Sequence, residues 1–581
     1  MTLSSQKKIV VGIAVLVTGF LCGLPILLAE QSLGNDYKGI PFLYLNNEDY
    51  YLSRIQEITD GHPSVSSPVY FEYKDNPAIV PAVGEFLYIG LAKVLGISLV
   101  SAVVAAKFIF PAILFLLVCL LVSSLVEDLV FEDRGKWVPT LAGLSAGFLV
   151  VLGYDFVDVH HTLQVLTDTW GSPTLSVWTR PVNPITGALF LFGFLNVLWR
   201  LFKKPDLKKA ILGGVLLALS IGYFFAWGLG VCILAILGVC AFFQKEWKVL
   251  SAFGITLLTM LVSDSYFLLA MFRGGGRAAL NGMLYFHTPI FNKVVFATAL
   301  LFAIGLWVLY RKEAWKKGKE EQWVVFCATL IFSSVAVFNE QIFTGRTVWP
   351  AHFVQYTIPL SFVVLVVVCF RVLHRKKIAC YLVSGFIILT TLLCGVRSVE
   401  SYRYDLAHYK MMQNYAPVLQ WLAKNAAKDC VVLVDEPREE LMRLVPAFTS
   451  CNVYISGYLT AGVPDERLYQ MLLIKMRLAG VSLADVPKYL AAHEQDVREF
   501  FYTDWLDLFA SHPSPYTDLH IQELLKRYQT FFRADFGKEL ARYKIDYFVT
   551  TRLFDIRTLS MLHPQKVYEF KDLTVYDVRL R

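Results

Sequence analysis

The chain has 581 residues, of which 56% are hydrophobic and only 17% charged, with a mean hydropathy of +0.51. That composition excludes an ordinary soluble domain. The net charge of +7 does not point to nucleic acid, because the basic residues cluster in short loops beside apolar runs, the usual topogenic pattern.

The first apolar run, 9–29, follows Lys7-Lys8 and lacks an A-x-A cleavage site, so it reads as a retained span rather than a signal peptide. The ~20-residue criterion gives about eleven spans: 9–29, 103–126, 137–153, 185–201, 210–224, 227–243, 249–271, 294–310, 323–338, 356–372 and 378–396. The run 210–243 is too long for one span, and the aromatic cluster Tyr223-Phe224-Phe225-Ala226-Trp227 at its middle suits an interfacial hairpin. With the N-terminus inside, Lys203-Lys204, Lys208-Lys209, Lys316-Lys317 and Arg375-Lys376-Lys377 all fall in inner loops. The expectation is therefore an integral protein of the cytoplasmic (inner) membrane. Its outer face carries a long first loop, 30–102, the loops 154–184, 272–293 and 339–355, and everything after 397.

The first loop opens with Asn46-Asn47-Glu48-Asp49-Tyr50-Tyr51-Leu52-Ser53-Arg54. Asn46 or Asn47 is a good N-cap for a helix to about Thr59, stopped by Gly61 and Pro63. Glu48 and Asp49 then occupy its first turn, where the helix dipole favours carboxylates. That placement alone accounts for them. Their position just outside the first span also lets them bind a metal, take a proton or pair with a cation. Glu72 and Asp75, in Tyr70-Phe71-Glu72-Tyr73-Lys74-Asp75, alternate with aromatic rings in a way that suits either a sugar platform or a solvated loop. The segment 78–95 reads as an outer-surface helix.

After the third span, Asp155, Asp158, His160 and His161 form an oxygen–nitrogen set suited to a divalent metal, without the spacing of any specific motif. Arg180, at the next span entrance, can clamp a phosphate bidentately or anchor the interface. In Asn339-Glu340-Gln341-Ile342-Phe343-Thr344-Gly345-Arg346, followed by His352, the amides, Arg346 and His352 can donate to phosphate oxygens. Asp264 is an intramembrane acid and a functional candidate for that reason.

The C-terminal region, 398–581, reads as a separate α/β domain beside a transmembrane unit of 1–397. Short apolar runs at 431–434, 453–456 and 546–550, and a hairpin of 567–570 with 573–576, predict strands. The segments 416–427, 465–478, 483–510 and 516–543 predict helices. Ten cysteines are scattered, mostly in spans, with no CxxC pair. Cys430 and Cys451, at the starts of two neighbouring strands on an oxidising side, are expected to pair.

An inner N-terminus, a first span leading into a loop with the acidic pair Glu48-Asp49-Tyr50-Tyr51, about eleven spans and an outer C-terminal α/β domain resemble the polytopic GT-C glycosyltransferases. That superfamily includes oligosaccharyltransferase catalytic subunits, protein O-mannosyltransferases and bacterial aminoarabinose transferases. The resemblance implies transfer of a sugar from a polyprenyl-phosphate or -diphosphate donor to a lipid, glycan or protein acceptor, with inverting-type chemistry. It implies Asp49 or Glu48, Asp49 foremost, as base or metal ligand. A divalent cation (Mg or Mn) would be held by Asp49, Asp155, Asp158 and His160. The lipid phosphate falls to Arg180, Arg346 and His352, and substrate contacts to Tyr50, Glu72, Asp75 and Gln341. The sequence departs from oligosaccharyltransferases in having no WWDYG-type motif. A polyprenyl-dependent polysaccharide polymerase or ligase, a lipid or solute transporter and a non-catalytic scaffold are the alternatives. Charges at span ends and the absence of repeats count against the transporter.

Overall fold

The computed structural model describes residues 5–43, 47–76, 81–127, 137–158, 167, 175–273, 283–284, 286–311, 322–374, 376–435, 440–457, 460, 463–501, 516–550 and 563–579. Among the described residues, thirteen helices longer than one turn precede the C-terminal region. They are α1 (Ser5–Leu33), α2 (Glu48–Thr59), α3 (Val83–Leu95), α4 (Leu99–Val126), α5 (Val138–Leu152), α6 (Ile185–Lys203), α7 (Leu207–Leu219), α8 (Phe224–Phe243), α9 (Trp247–Arg273), α10 (Lys293–Arg311), α11 (Gln322–Val337), α12 (Val354–Val372) and α13 (Lys377–Ser398). A single helical turn, Gln341–Thr344, separates α11 from α12.

All the eleven segments expected to span are helical. Nine of them, among the described residues, are long and apolar enough to cross a membrane. The chain is an integral membrane protein. The other two are shorter: α5 has 15 residues and α7 has 13. At 1.5 Å per residue each reaches only about 20 Å, against the ~30 Å of a hydrocarbon core. The break between α7 and α8 falls at the 3-10 turn Ser220–Gly222, as the aromatic cluster predicted.

Helix α4 is the hub of the bundle and packs on α1, α3, α5 and α6. Small residues allow the close crossings. A Cβ on Gly19 would sit 2.6 Å from the Phe108 carbonyl oxygen, and one on Gly143 2.5 Å from that of Cys119. Where lipid is as apolar as leucine, such close packing is what holds helices together.

The expected α/β region follows α13. Helices α14 (Ala416–Asn425), α15 (Glu440–Phe448) and α16 (Asp465–Leu478) accompany a five-stranded sheet. Numbering the pair Met283–Leu284 and Thr347–Val348 as β1 and β2, the sheet comprises β3 (Val431–Asp435), β4 (Asn452–Val453), β5 (Tyr547–Thr550), β6 (Gln565–Phe570) and β7 (Leu573–Asp577). Its order is β4-β3-β5-β7-β6, parallel across the first three strands and antiparallel beyond. Strands β3 and β5 are buried throughout, which explains their unbroken apolar runs. Cys430 and Cys451 form the expected disulfide beside the paired starts of β3 and β4.

The expected helix 483–510 is instead Val486–Ala492 followed by Glu494–Phe501, with 502–515 outside the described residues. The expected helix 516–543 ends at Arg533. It restarts at Phe536, where Asp535 accepts from the Lys538 N–H at 3.2 Å.

The first loop does not lie apart from this region. Ile40, Val69 and Tyr70 are buried in the same apolar cluster as β3, β5 and α16.

Candidate functional site

Helix α2 organises the site. Its expected asparagine side-chain cap is absent, which corrects that reading: Asn47 has a φ of 69°, in the left-handed region, and its side chain caps nothing. Asparagine tolerates this conformation better than most residues. Asn46 lies outside the described residues. The Tyr50 N–H is met by Asp49 Oδ1 at 3.0 Å.

At 100° per residue, the first turn of α2 spreads its side chains around the axis. Glu48 and Tyr51 turn towards the bundle with Leu52 and Ile55, which are 1% and 0% exposed. Glu48 is buried and pairs with Lys107, an equally buried lysine inside α4. Arg54 pairs with Glu85 of α3 at 2.5 Å and donates to the Tyr50 hydroxyl at 3.3 Å. Burial opposes the charge on Arg54, and the adjoining Glu85 more than compensates.

Asp49 and Ser53 face the other way, onto a small pocket bordered by Tyr50, Val69, Met442, Arg443, Pro446 and Ser456. Arg443, from α15, closes on Asp49: Nε lies 2.5 Å from Oδ2, and Nη2 donates to Oδ1 at 3.1 Å. The acid with the foremost expected role is thus held by a guanidinium from the far end of the chain.

Arg180 stands on the bundle side of α2. Three hydrogen bonds hold its segment. Trp178 Nε1 donates to the Val150 carbonyl at 2.8 Å, the Val182 N–H to the Tyr88 hydroxyl at 2.9 Å, and the Tyr356 hydroxyl to the Pro184 carbonyl at 3.0 Å. The guanidinium lies 5.9 Å from the Tyr51 ring centroid, and its Nε donates to the Asn183 carbonyl at 2.5 Å. Among the described residues it forms no ion pair. Its field reaches Tyr223, His352 and Tyr356. The Tyr223 hydroxyl and His352 Nδ1 are 2.6 Å apart. Burial pushes the Tyr51 phenol up to about 12, against the pull of Arg180, so it stays a neutral donor. Val182 and Trp349, which border this cluster, have φ of 59° and 34°. Such left-handed non-glycine residues cost about 1–3 kcal/mol each and concentrate at functional sites.

The remaining candidates are placed differently. Arg346 is exposed on the junction that leads to His352. Gln341 is buried, and its amide donates to the Thr288 carbonyl at 3.0 Å. Glu72 lies 3.7 Å from the buried Arg467. The Asp75 side chain is 99% exposed, 3.8 Å from His62. Asp264 is buried and accepts from Trp227 Nε1 at 3.1 Å.

Asp158 is exposed, whereas the Asp155 side chain and His160 lie outside what the structure describes. Among the described residues no three His, Cys, Asp or Glu side chains gather in a metal-binding group. Both Asp49 oxygens are engaged by Arg443, and the rest of the expected cation set lies partly outside the described residues.

Lys107 and Arg443 were not singled out in the sequence. Lys107 carried a signal, a lone lysine in the apolar run 99–126. Arg443 carried none, being one of several charges in an amphipathic helix.

No protein-family model matches the sequence, and no curated protein matches it. Among solved structures the chain is similar to ArnT from Cupriavidus metallidurans bound to undecaprenyl phosphate, at 10% identity and a TM-score of 0.47, covering 99% of this chain and 99% of that one. It is also similar to the Archaeoglobus fulgidus oligosaccharyltransferase in its apo form, at 13% identity and a TM-score of 0.40, over 77% of this chain and 64% of that one. A third is the archaeal oligosaccharyltransferase AglB from the same organism, in complex with an inhibitory peptide and a dolichol-phosphate. There the identity is 13% and the TM-score 0.38, over 94% of this chain and 69% of that one.

Proposed function

We propose that this chain is a GT-C-type glycosyltransferase of the cytoplasmic membrane, moving a sugar from a polyprenyl-phosphate-linked donor to an acceptor on the face that carries α2. One observation carries this reading: a single helical turn holds Asp49 at a small pocket against Arg443 and Tyr51 beside Arg180, a half-buried guanidinium with no ion-pair partner among the described residues. A guanidinium in a partly buried aromatic setting is a receptor for an anion, and phosphate matches its fork.

The roles follow from where charge develops. As the bond from the sugar anomeric carbon to the phosphate oxygen breaks, its electron pair stays on the phosphate, and Arg180 stabilises the growing charge. Tyr51 and His352 adjoin it as hydrogen-bonding groups. The acceptor nucleophile forms the new bond from the opposite face of the sugar and passes its proton to Asp49. Arg443 must first release the carboxylate, whose oxygens it occupies. A divalent cation at Asp49, Asp155, Asp158 and His160 would require the same release, and no step here is routed through one.

The test uses full-length protein in nanodiscs with a polyprenyl-phosphate donor carrying a labelled sugar, and a membrane extract as the acceptor source. Labelled sugar should move from the lipid, and Asp49→Ala should abolish transfer while thermal unfolding stays unchanged. Undiminished turnover in that variant would remove Asp49 from the mechanism.

A further inference from the structure

The ion pairs of α2 are not alike. Among the described residues the helix makes four: Glu48 with Lys107, Asp49 with Arg443, Arg54 with Glu85, and Glu57 with Lys74. In three of them neither side chain is more than 7% exposed. In the fourth Arg443 is 39% exposed, although Asp49 is only 11% exposed. Three pairs are therefore sealed, and one has a cation that a solute can reach without disturbing the core.

The surroundings say where that solute comes from. Every residue bordering the Asp49–Arg443 cleft belongs to the first loop or to the chain after α13, and none to a membrane-crossing helix. Arg180, by contrast, is held by residues at the ends of α5 and α6 and within α12. The two arginines lie on opposite faces of one helix. One is set for a ligand rooted in the bilayer and the other for a ligand arriving from water.

Resting on the glycosyltransferase reading above, we propose that Arg443 is the acceptor-recognition residue. An anionic group of the acceptor, carboxylate or phosphate, takes Asp49's place on the guanidinium. This exchange conserves charge: the arginine keeps an anionic partner, and Asp49 is freed beside the acceptor nucleophile. Proton transfer is thereby coupled to occupancy. Without an anionic acceptor the carboxylate oxygens stay engaged, which guards the donor against hydrolysis by water. The substrate class is an acidic acceptor rather than a neutral glycan or peptide.

Accessibility of Arg443 to phenylglyoxal, followed by peptide mass spectrometry, tests this on the intact protein in phosphatidylcholine nanodiscs. Inorganic phosphate should slow modification of Arg443 about threefold at twice its dissociation constant, by mass action. Arg542, a 58%-exposed arginine paired with Glu539 at 3.1 Å, should be unaffected and serves as the control. Removing the internal competitor with Asp49→Asn should tighten phosphate at Arg443 by about two- to fivefold, the range a half-exposed ion pair contributes. Equal protection of Arg443 and Arg542, or no tightening in Asp49→Asn, would overturn the proposal. So would protection by polyprenyl phosphate placed in the nanodisc, which would assign Arg443 to the donor. Because no turnover is measured, a chain that transfers no sugar can still show the anion site.

Discussion

Helix α2 meets the bundle on one face and the C-terminal region on the other, and the two junctions are built to different standards. Against the bundle, Glu48–Lys107 and Arg54–Glu85 are sealed pairs among fully buried apolar residues. Against the C-terminal region, Arg443 is half-exposed, and the neighbouring contact runs through Lys74 to Asp429 at 2.6 Å and His62 to Asp429 at 3.3 Å, with Asp429 20% exposed. Sealed pairs cost several kcal/mol to break, whereas solvated ones cost little. The contrast confines solvent access to the Asp49–Arg443 pair, while α2 stays closely packed on α15 and joined to Asp429 through the buried Lys74.

The sharpest way to break this contrast is at Lys107. Lys107→Met leaves Glu48 buried without its cation and should cost about 3–5 kcal/mol, seen as lost folded yield and a lower Tm in detergent. Lys107→Met combined with Glu48→Leu should recover most of that stability. Transfer activity in the double variant then decides whether Glu48 serves chemistry as well as packing.

Arg180→Gln comes next. It should lower kcat about 10²–10³-fold, equivalent to ~2.7–4 kcal/mol, with Tm little changed, since among the described residues the guanidinium anchors no ion pair and its Nε bonds only within its own segment.

Reduction of Cys430–Cys451, which closes a separation of 21 residues, should destabilise the C-terminal sheet by about 3 kcal/mol. Hydrogen exchange should rise over β3 and β4 and stay unchanged in α4.

The smallest effect is one of pH. Burial would raise the Asp429 carboxyl, but Lys74 and His62 outweigh it and hold it below its ordinary 3.8. Its contribution to docking is complete above 3.8 and disappears as pH falls through the depressed value. Glu57 is raised by its own burial, Lys74 notwithstanding, and works in the opposite sense. Exchange over 70–76 should therefore rise modestly in acid before that of α4 does.

Much of the fold was legible because its signals are local. Apolar length located all eleven bundle helices, and the buried strands β3 and β5 appeared as short apolar runs. The limits arose where local pattern and tertiary need part. The length of α5 could not be judged from hydropathy alone, since a helix buried by neighbours on most sides is apolar whether or not it crosses lipid. At the site, the sequence located Glu48-Asp49 and Arg180 by their chemistry at loop and span boundaries. It could not supply their partners. Asp49 and Arg443 are 394 positions apart, and Glu48 and Lys107 are 59 apart, so neither pairing leaves a periodic trace. Glu72 and Asp75 looked alike in sequence, yet one faces a buried arginine and the other faces water.

The first loop also caps the C-terminal sheet. The Val453 N–H of β4 donates to the Val69 carbonyl at 3.0 Å, and the Tyr70 hydroxyl reaches the Ser456 carbonyl 386 positions away. An exposed edge strand invites pairing with another chain, and here residues synthesised near the beginning cover an edge made near the end. While the polypeptide is being made, Val69 and Tyr70 must wait, uncovered, through the insertion of nearly the whole bundle. Contacts of such high order are slow to form. A C-terminal fragment produced alone would present a bare sheet edge and an unfilled apolar socket, and should aggregate where the full chain does not.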